Sequence, residues 1–134
     1  MEEAALTARK LIVHTDIVID YLTHGSRSEH VLRRAMGKYF CYTTVFNAIE
    51  IFSLASNKKE LDAMERSLSA MKILGLNAKH AKQYGTLLAS GKKLPRMNGL
   101  IACMAAESKL PILTAMPQEF RGAKGLAILQ PKDV

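Results

Sequence analysis

Short apolar runs alternate with longer segments in which apolar residues recur every three or four positions along this 134-residue chain. The short runs predict strands, and the periodic segments between them predict helices. The predicted strands cover residues 11–14, 39–42, 73–76, 110–114 and 126–129. The predicted helices cover residues 16–22, 27–36, 44–55, 58–72, 77–91 and 98–108. Because strands that alternate with helices pair in parallel, we predict an α/β fold of three layers, α/β/α, with a mostly parallel central sheet.

Several positions define the ends and faces of these helices. Asp16 and Asn98 stand at the starts of the first and last helices, where such side chains are favoured N-caps. Thr43 or Thr44 is placed to cap the third helix, which is apolar almost all round and is therefore expected to be central. The helix over residues 58–72 carries an apolar stripe formed by Leu61, Met64, Leu68 and Met71. This stripe predicts either part of the hydrophobic core or a groove that binds a protein partner.

The length predicts a single domain over residues 1–134, with residues 1–9 as an N-terminal extension. The net charge of +7 favours polyanionic partners such as RNA, although an ordinary solvated basic surface explains it equally well. Cys41 and Cys103 lie in apolar runs and are expected to be buried, reduced thiols. The acidic start of the chain and the lack of a long uninterrupted apolar stretch predict a cytoplasmic protein with no membrane association.

Polar residues fall at the predicted strand ends, where open parallel sheets place their sites. His14 follows the first strand, Asn98 heads the last helix, and a further candidate segment follows Thr114. Glu50 lies on an otherwise apolar helix, on the same face as Asn47. Because a buried carboxylate is costly without partners, Glu50 is either a site residue or a hydrogen-bonded structural acid.

Four segments of the chain, taken in order, carry a resemblance to a known family. They are Val13–Leu22, the pattern Thr44-x-x-Asn47-x-x-Glu50, the run Asn98–Ala105, and Leu113–Phe120 with the trailing pair Gly125-Leu126. These segments resemble the first strand and helix, the Ser/Thr-x-x-Thr/Asn-x-x-Glu helix start, the Asp-x-Leu-Ile-Ala helix and the Thr-x-Asn/Asp-x-x-Asp-Phe segment of PIN domains. From about residue 11 to residue 131, the chain is similar to the PIN-domain family, in particular its VapC-like toxin endoribonuclease branch.

The resemblance implies metal-dependent cleavage of RNA phosphodiesters, in which carboxylates hold Mg²⁺ or Mn²⁺ and the ions activate water. The family's first and third acids fall on His14 and Asn98, and its second acid falls on Glu50. The two family positions after the fourth strand fall on Met116 and Glu119. Because two site acids are replaced by residues without negative charge, the resemblance implies that cleavage is weak or lost.

The resemblance also assigns roles to individual residues. The candidate catalytic residues are Glu50, Glu119, Asn98 and His14, and the structural supports are Thr15, Thr44, Asn47 and Thr114. The charge of the basic run Lys92-Lys93-x-x-Arg96 beside Asn98, rather than the resemblance, makes it a candidate for contact with an RNA backbone, and an ordinary solvated face explains it equally well. Glu50 and Glu119 are the expected metal ligands, with Asp16 as a weaker candidate whose alternative role is a helix cap. His14 is expected to be a satisfied buried residue, and a hydrogen bond from it to Glu50 would replace the missing metal structurally.

Three hypotheses about function remain open. The first is a toxin-type ribonuclease with a degenerate acid cluster, which uses Mg²⁺ or Mn²⁺ if it is active and otherwise no metal. The second is a non-catalytic PIN-fold module that binds RNA or a protein partner. The third is a repurposed site in which His14, Glu50 and Glu119 hold Zn²⁺ or Mn²⁺. The resemblance further implies an antitoxin-like protein partner and a homodimer.

Overall fold

The computed structural model describes residues 9–24, 29–90, 96–123 and 125–134. Within these residues the strands are β1 (Lys10–Val13), β2 (Phe40–Thr44), β3 (Lys72–Leu74), β4 (Ile112–Leu113) and β5 (Ile128–Leu129). The helices are α1 (Thr15–His24), α2 (Val31–Lys38), α3 (Val45–Ser53), α4 (Lys58–Ser69), α5 (Ala81–Ser90) and α6 (Arg96–Ser108). Short 3-10 helices cover Ala78–His80, Pro117–Phe120 and Pro131–Asp133.

The strands form one parallel sheet in the order β3-β2-β1-β4-β5. β1 lies at the centre, where Ile12 is in register with Tyr42 of β2 and with Ile112 of β4. The predicted mostly parallel sheet is therefore confirmed. Because β1 is central, the residue that follows it, His14, lies between the carboxyl ends of β2 and β4. We call this edge of the sheet, where β1, β2 and β4 end, the carboxyl edge.

Apolar side chains pack on both faces of the sheet, as the three-layer prediction requires. Successive residues of a strand point to opposite faces. Leu11 and Val13 face a core that also contains buried residues of α1, α2, α3 and α4. Ile12 faces a second core with α6 and Phe120. The α/β/α architecture predicted from the sequence is thus confirmed.

Two predicted N-caps are wrong. α1 begins at Thr15 and α6 at Arg96, so Asp16 and Asn98 both lie inside the first turn of a helix. The Asp16 carboxylate does not cap α1 because it accepts hydrogen bonds from the segment that follows β4. The structure describes α6 from Arg96, two residues before the predicted start at Asn98.

The other predicted caps are present, with one change. Thr44 caps α3 in a capping box with Asn47, which confirms one of the two threonines considered. Asn77 accepts a hydrogen bond from the backbone N–H of Lys79 and so caps the 3-10 helix Ala78–His80, which leads into α5. Helix α5 therefore begins a few residues later than predicted.

The prediction that α3 is central holds for one of its faces only. Ala48 and Ile51 are buried, but Ile49 and Leu54 are 52% and 56% exposed. An apolar sequence shows which side chains avoid water, but it does not distinguish a core from a surface that another molecule covers. Leu61 of α4 is likewise 42% exposed, although Met64, Leu68 and Met71 of the same stripe are buried.

Some predictions fall outside the described residues. These are the N-terminal extension apart from residue 9, the start of the second predicted helix at residue 27, the helix ends near Gly25 and Gly91, and the basic residues Lys92 and Lys93. Arg9 is joined to the sheet, because its carbonyl accepts a hydrogen bond from the backbone N–H of Phe40. No helix in the described part of the chain is long and apolar enough to cross a bilayer.

Candidate functional site

The carboxyl edge brings together polar side chains from three strand ends. His14, Thr44 and Thr114 follow or end β1, β2 and β4, and all three are buried. The backbone N–H of His14 donates to the carbonyl of Leu113, which continues the pairing of β1 with β4 by one residue. The strand-end rule therefore places these residues together, and α3 adds Asn47 from the first turn after β2.

Asn47 is fully buried, and its side-chain amide has a partner at each atom. Its Oδ1 accepts from the backbone N and the Oγ1 of Thr44, at 3.2 and 2.7 Å. Its Nδ2 lies 3.0 Å from His14 Nδ1 and donates to Thr15 Oγ1 at 3.0 Å. Because a backbone N–H can only donate, the atom facing it must be the Asn47 oxygen, and this fixes the orientation of the amide.

Glu50 is held by Thr15, whose Oγ1 donates to Glu50 Oε1 at 2.6 Å. The expected hydrogen bond from His14 to Glu50 is therefore wrong. The two residues are connected indirectly instead, through Asn47 and Thr15. This short hydrogen bond to one carboxylate oxygen offsets part of the desolvation cost of placing Glu50 beside apolar residues.

Glu119 faces His14 from the 3-10 helix Pro117–Phe120, which follows β4. The distance from His14 Nε2 to Glu119 Oε1 is 3.6 Å, which is longer than an ordinary hydrogen bond. The Glu119 side chain is 41% exposed, so it contacts both the site and solvent. The Phe120 ring meets the His14 ring edge-on, with centroids 4.9 Å apart, and so packs the imidazole from the same 3-10 helix.

Asp16 holds the segment after β4 against α1. Its Oδ2 accepts from Thr114 Oγ1 at 2.8 Å and from the backbone N of Ala115 at 2.9 Å. Thr114 Oγ1 in turn accepts from the backbone N of Met116. The other oxygen, Asp16 Oδ1, is buried and has no hydrogen-bond partner among the described residues. Asp16 thus has a structural role, with one oxygen left over for water or a ligand.

Asn98 is half-buried in the first turn of α6, and its side chain makes no hydrogen bond to another described residue. Arg96, one of the predicted contacts to an RNA backbone, is exposed two residues earlier. Lys79 and Lys82 are exposed as well, near the start of α5. These three cations are free to meet solvent or a polyanion, and the neighbouring Lys92 and Lys93 lie outside the described residues.

The side chains at the carboxyl edge do not fit the metal pair that the resemblance implies. Among the described residues, no three His, Cys, Asp or Glu side chains lie close enough to hold one ion. Each remaining carboxylate has a separate partner: Glu50 has Thr15, Asp16 has Thr114, and Glu119 faces His14. Mg²⁺ and Mn²⁺ require several oxygen ligands around one point, so this arrangement is a poor cation site. The same finding argues against a Zn²⁺ or Mn²⁺ site between His14, Glu50 and Glu119.

Two further clusters of titratable side chains lie away from this edge. In the first, Asp20 Oδ2 lies 2.8 Å from His30 Nε2, and Asp20 Oδ1 lies 3.2 Å from His24 Nδ1. The hydrogen bond from His30 lowers the pKa of Asp20. His30 also caps α2, because its Nδ1 accepts from the backbone N–H of Leu32. We call Asp20, His24 and His30 the surface cluster.

In the second, Glu107 of α6 accepts from Tyr84 Oη at 2.7 Å and lies 2.7 Å from His80 Nδ1. Burial and the Glu107 carboxylate raise the pKa of Tyr84. Burial likewise raises the pKa of Cys103 on α6, and it raises the pKa of Cys41 in β2 to about 11. Both cysteines are buried and free, as predicted, and at neutral pH they stay protonated.

Comparison with solved structures shows the same architecture in toxin–antitoxin proteins. A chain of VapBC2 from Rickettsia felis, solved bound to a DNA fragment from the promoter, superposes with a TM-score of 0.75 at 18% identity, over 90% of this chain and 98% of that chain. A chain of VapBC-1 from nontypeable Haemophilus influenzae gives 0.74 at 16% identity, over 92% and 98%. A toxin–antitoxin complex from Klebsiella pneumoniae gives 0.70 at 19%, over 92% and 99%. The chain has the PIN-domain fold of VapC toxins.

At these identities the likeness concerns the fold. No family model matches the sequence, and no curated protein matches it. The PIN-type fold nevertheless confirms the predicted architecture across nearly the whole chain. In open α/β sheets in general, sites lie at the carboxyl ends of the strands, which is where the carboxyl edge of this chain lies. In this PIN-type chain, the side chain that follows the central strand is the buried His14.

Proposed function

We propose that the chain is a PIN-fold protein related to the toxin-type ribonucleases, in which metal-dependent RNA cleavage is lost or strongly reduced. The observation that supports this most directly is at His14. This residue occupies the place predicted for the first acid, is 3% exposed, and is tied to Asn47 through Nδ1. The proposal therefore rests on the identity and the hydrogen bonding of one buried side chain.

Charge explains why such a change abolishes the activity. A hard divalent ion is held by several anionic oxygens, and each lost carboxylate removes a full negative charge from the site. His14 supplies no oxygen, and Asn98 supplies at most a neutral carbonyl. The remaining acids Glu50, Glu119 and Asp16 each have another partner. We expect cleavage in Mg²⁺ or Mn²⁺ to be lower by orders of magnitude than in a PIN domain with its full acid set.

The test is an RNA cleavage assay with the purified chain in Mg²⁺ and in Mn²⁺. We expect the unmodified chain and its Glu50→Gln variant to give the same background. The double variant His14→Asp with Asn98→Asp is expected to gain Mn²⁺ binding, measured by calorimetry, because it restores two charged ligands. Glu65→Gln, which changes an exposed acid on α4, is the matched control. Robust cleavage by the unmodified chain that Glu50→Gln abolishes would overturn the proposal.

A second candidate function is the binding of a protein partner, for which a groove gives specific support. The groove has a volume of about 490 Å³ and lies between α1, α2 and α4. Its apolar lining includes Leu22, Leu32 and Met36, and the guanidinium groups of Arg33 and Arg66 add positive charge. An apolar groove that is lined by two positively charged side chains suits a peptide segment that carries both apolar and acidic side chains.

We propose an antitoxin-like protein as the occupant of this groove, since the similar structure from Klebsiella pneumoniae is that of a toxin–antitoxin complex. The experiment is co-purification with the product of an adjacent small reading frame. Arg33→Glu with Arg66→Glu is expected to weaken the complex at least tenfold, whereas Arg121→Glu with Lys132→Glu, at exposed sites outside the groove, is the charge-matched control. An unchanged affinity of the double variant would exclude the groove as the docking site.

Three further points stay predictions: that the chain forms a homodimer, that it is cytoplasmic, and that it contacts an RNA backbone. RNA affinity that falls with salt and is weakened by Arg96→Glu would support the RNA contact, because phosphate binding releases counterions.

A further inference from the structure

The donors and acceptors of the hydrogen bonds around Asn47 can be assigned in one way only. The backbone N–H of Thr44 donates to Asn47 Oδ1, and this leaves the amide NH₂ to face His14 and Thr15. An amide NH₂ has two hydrogens and no acceptor. His14 Nδ1, at 3.0 Å from Asn47 Nδ2, must therefore accept a hydrogen bond. The donor and the acceptor in each of these hydrogen bonds therefore follow from the backbone N–H of Thr44.

An acceptor at Nδ1 determines the state of the His14 ring. A nitrogen that accepts a hydrogen bond carries no proton, so the neutral ring has its proton on Nε2. This N–H points to Glu119 Oε1, an acceptor, at 3.6 Å. The Phe120 ring, which meets the His14 ring edge-on, does not compete for the proton because it is apolar.

We propose that Asn47 is a positioning residue that holds His14 as the neutral Nε2–H tautomer and so closes the carboxyl edge to metal ions. Imidazole binds a metal through a nitrogen with a free lone pair. In this arrangement Nδ1 is engaged by Asn47 and Nε2 carries a proton, so neither nitrogen is available. The inference deepens the proposed function. It rests on that proposal in one respect, which is that the carboxyl edge is the former metal site.

The same arrangement gives the edge a connection that does not depend on a cation. Side chains join the segment after β4 to the end of β1: His14 faces Glu119 through its Nε2–H group and meets Phe120 of the 3-10 helix Pro117–Phe120 through the ring edge. We therefore expect the chain to be as stable in a chelator as in divalent cations.

The direct test is long-range ¹H–¹⁵N NMR of the His14 ring in the intact chain, which distinguishes a protonated ring nitrogen from a bare one. We expect a single Nε2–H tautomer in the unmodified chain. Asn47→Asp replaces the NH₂ donor with an acceptor, so His14 should change to a protonated Nδ1. The control is Thr43→Val, which removes a buried hydroxyl that donates to the Val13 carbonyl nearby, and it should leave the tautomer unchanged.

The second measurement is thermal unfolding with Zn²⁺ or Mn²⁺ against EDTA. The unmodified chain should show no saturable shift in Tm, whereas Asn47→Asp should show at least a tenfold gain in Zn²⁺ affinity. If Asn47→Asp fails to fold, the NMR and Tm measurements on the unmodified chain still test the proposal. A bare Nε2, or a Zn²⁺-dependent rise in Tm that His14→Ala abolishes, would overturn the proposal. Neither result depends on RNA cleavage, so the proposed function can fail or hold independently.

Discussion

Two clusters in this chain combine histidine with a carboxylate, and they differ mainly in the buried hydrogen bonds that surround them. At the carboxyl edge, His14 lies 3.6 Å from Glu119, and the two side chains are 4% and 41% exposed. In the surface cluster, His30 lies 2.8 Å from Asp20, and the two side chains are 9% and 56% exposed. Distance alone would rank the surface pair as the stronger. The fully buried Asn47 beside His14 reverses that order for the clusters as a whole, because a buried polar group that loses its partner cannot turn to water.

The difference also separates two kinds of role. At the carboxyl edge, Asn47 joins His14 to Thr44 and Thr15, so removing one member leaves several buried groups unsatisfied. In the surface cluster, water can replace either histidine beside Asp20, and ion pairs of this kind contribute little to stability. The buried cluster is therefore expected to control the fold of the site, and the surface cluster to adjust stability with pH.

The largest effect is expected for Asn47→Ala. The change leaves the Thr44 N–H and His14 Nδ1 without partners in a site that excludes water. With about 1–3 kcal/mol for each unsatisfied buried group, we expect a loss of about 3 kcal/mol in the free energy of unfolding. Urea denaturation measures this directly, and it would be a large share of the total stability of a domain.

The matched control for that change is Asn57→Ala. Asn57 Oδ1 caps α4 by accepting from the backbone N–H of Glu60, but the contact is exposed. Loss of an exposed asparagine cap costs about 1 kcal/mol. If the two variants were destabilised equally, burial would not be what distinguishes the carboxyl edge, and the comparison would fail.

An intermediate effect is expected for Tyr84→Phe, because Tyr84 is 4% exposed while its partner Glu107 is only partly buried. The change removes the hydroxyl that donates to the carboxylate but keeps the ring. A hydrogen bond to a charged group contributes about 1.5–3 kcal/mol, and partial exposure places this one at the lower end. Tyr21→Phe, which removes an exposed hydroxyl that accepts from Arg33, should change urea stability by less than about 0.5 kcal/mol.

Much of the fold could be predicted from the sequence because periodicity reports burial. The helix predicted over residues 27–36 buries its apolar residues Val31, Leu32 and Ala35, and the short apolar run of β1 is buried as well. The errors occurred where distant contacts override local preference. Asp16 looks like a helix cap, but its partner Thr114 lies 98 positions further along the chain. Local sequence carries no information about such a contact.

The residues at the carboxyl edge could be predicted only in part, and their hydrogen bonds could not. The strand-end rule predicts that His14, Asn98 and the segment after Thr114 lie at the strand ends, and the structure places His14 and Thr114 at one edge of the sheet. It does not say which way an amide points, and the expected bond from His14 to Glu50 gave way to a path through Asn47. Side-chain rotamers decide that choice, and they are set by packing in three dimensions. The surface cluster was missed for a similar reason, since Asp20 and His30 are ten residues apart.

The smallest effect is expected for Asp20→Asn, and it should depend on pH. The hydrogen bond from His30 lowers the pKa of Asp20 below its usual value of 3.8. Stabilisation by Asp20 is therefore fully present above pH 4 or so and is lost as pH falls through the lowered pKa of the folded chain. Because the side chain is largely exposed, we expect a difference of only about 0.5 kcal/mol in urea stability at pH 6, and this difference should disappear as pH falls through the lowered pKa.

Asp62→Asn gives the matched control for this last change, since Asp62 forms an exposed ion pair with Lys58 on α4. Its effect should be no larger than that of Asp20→Asn. A loss of several kcal/mol in Asp20→Asn at pH 6 would mean that His30 holds the start of α2 through Asp20 rather than through its own bond to Leu32. The surface cluster would then resemble the carboxyl edge in energy despite its exposure, because the cap of a helix would depend on it.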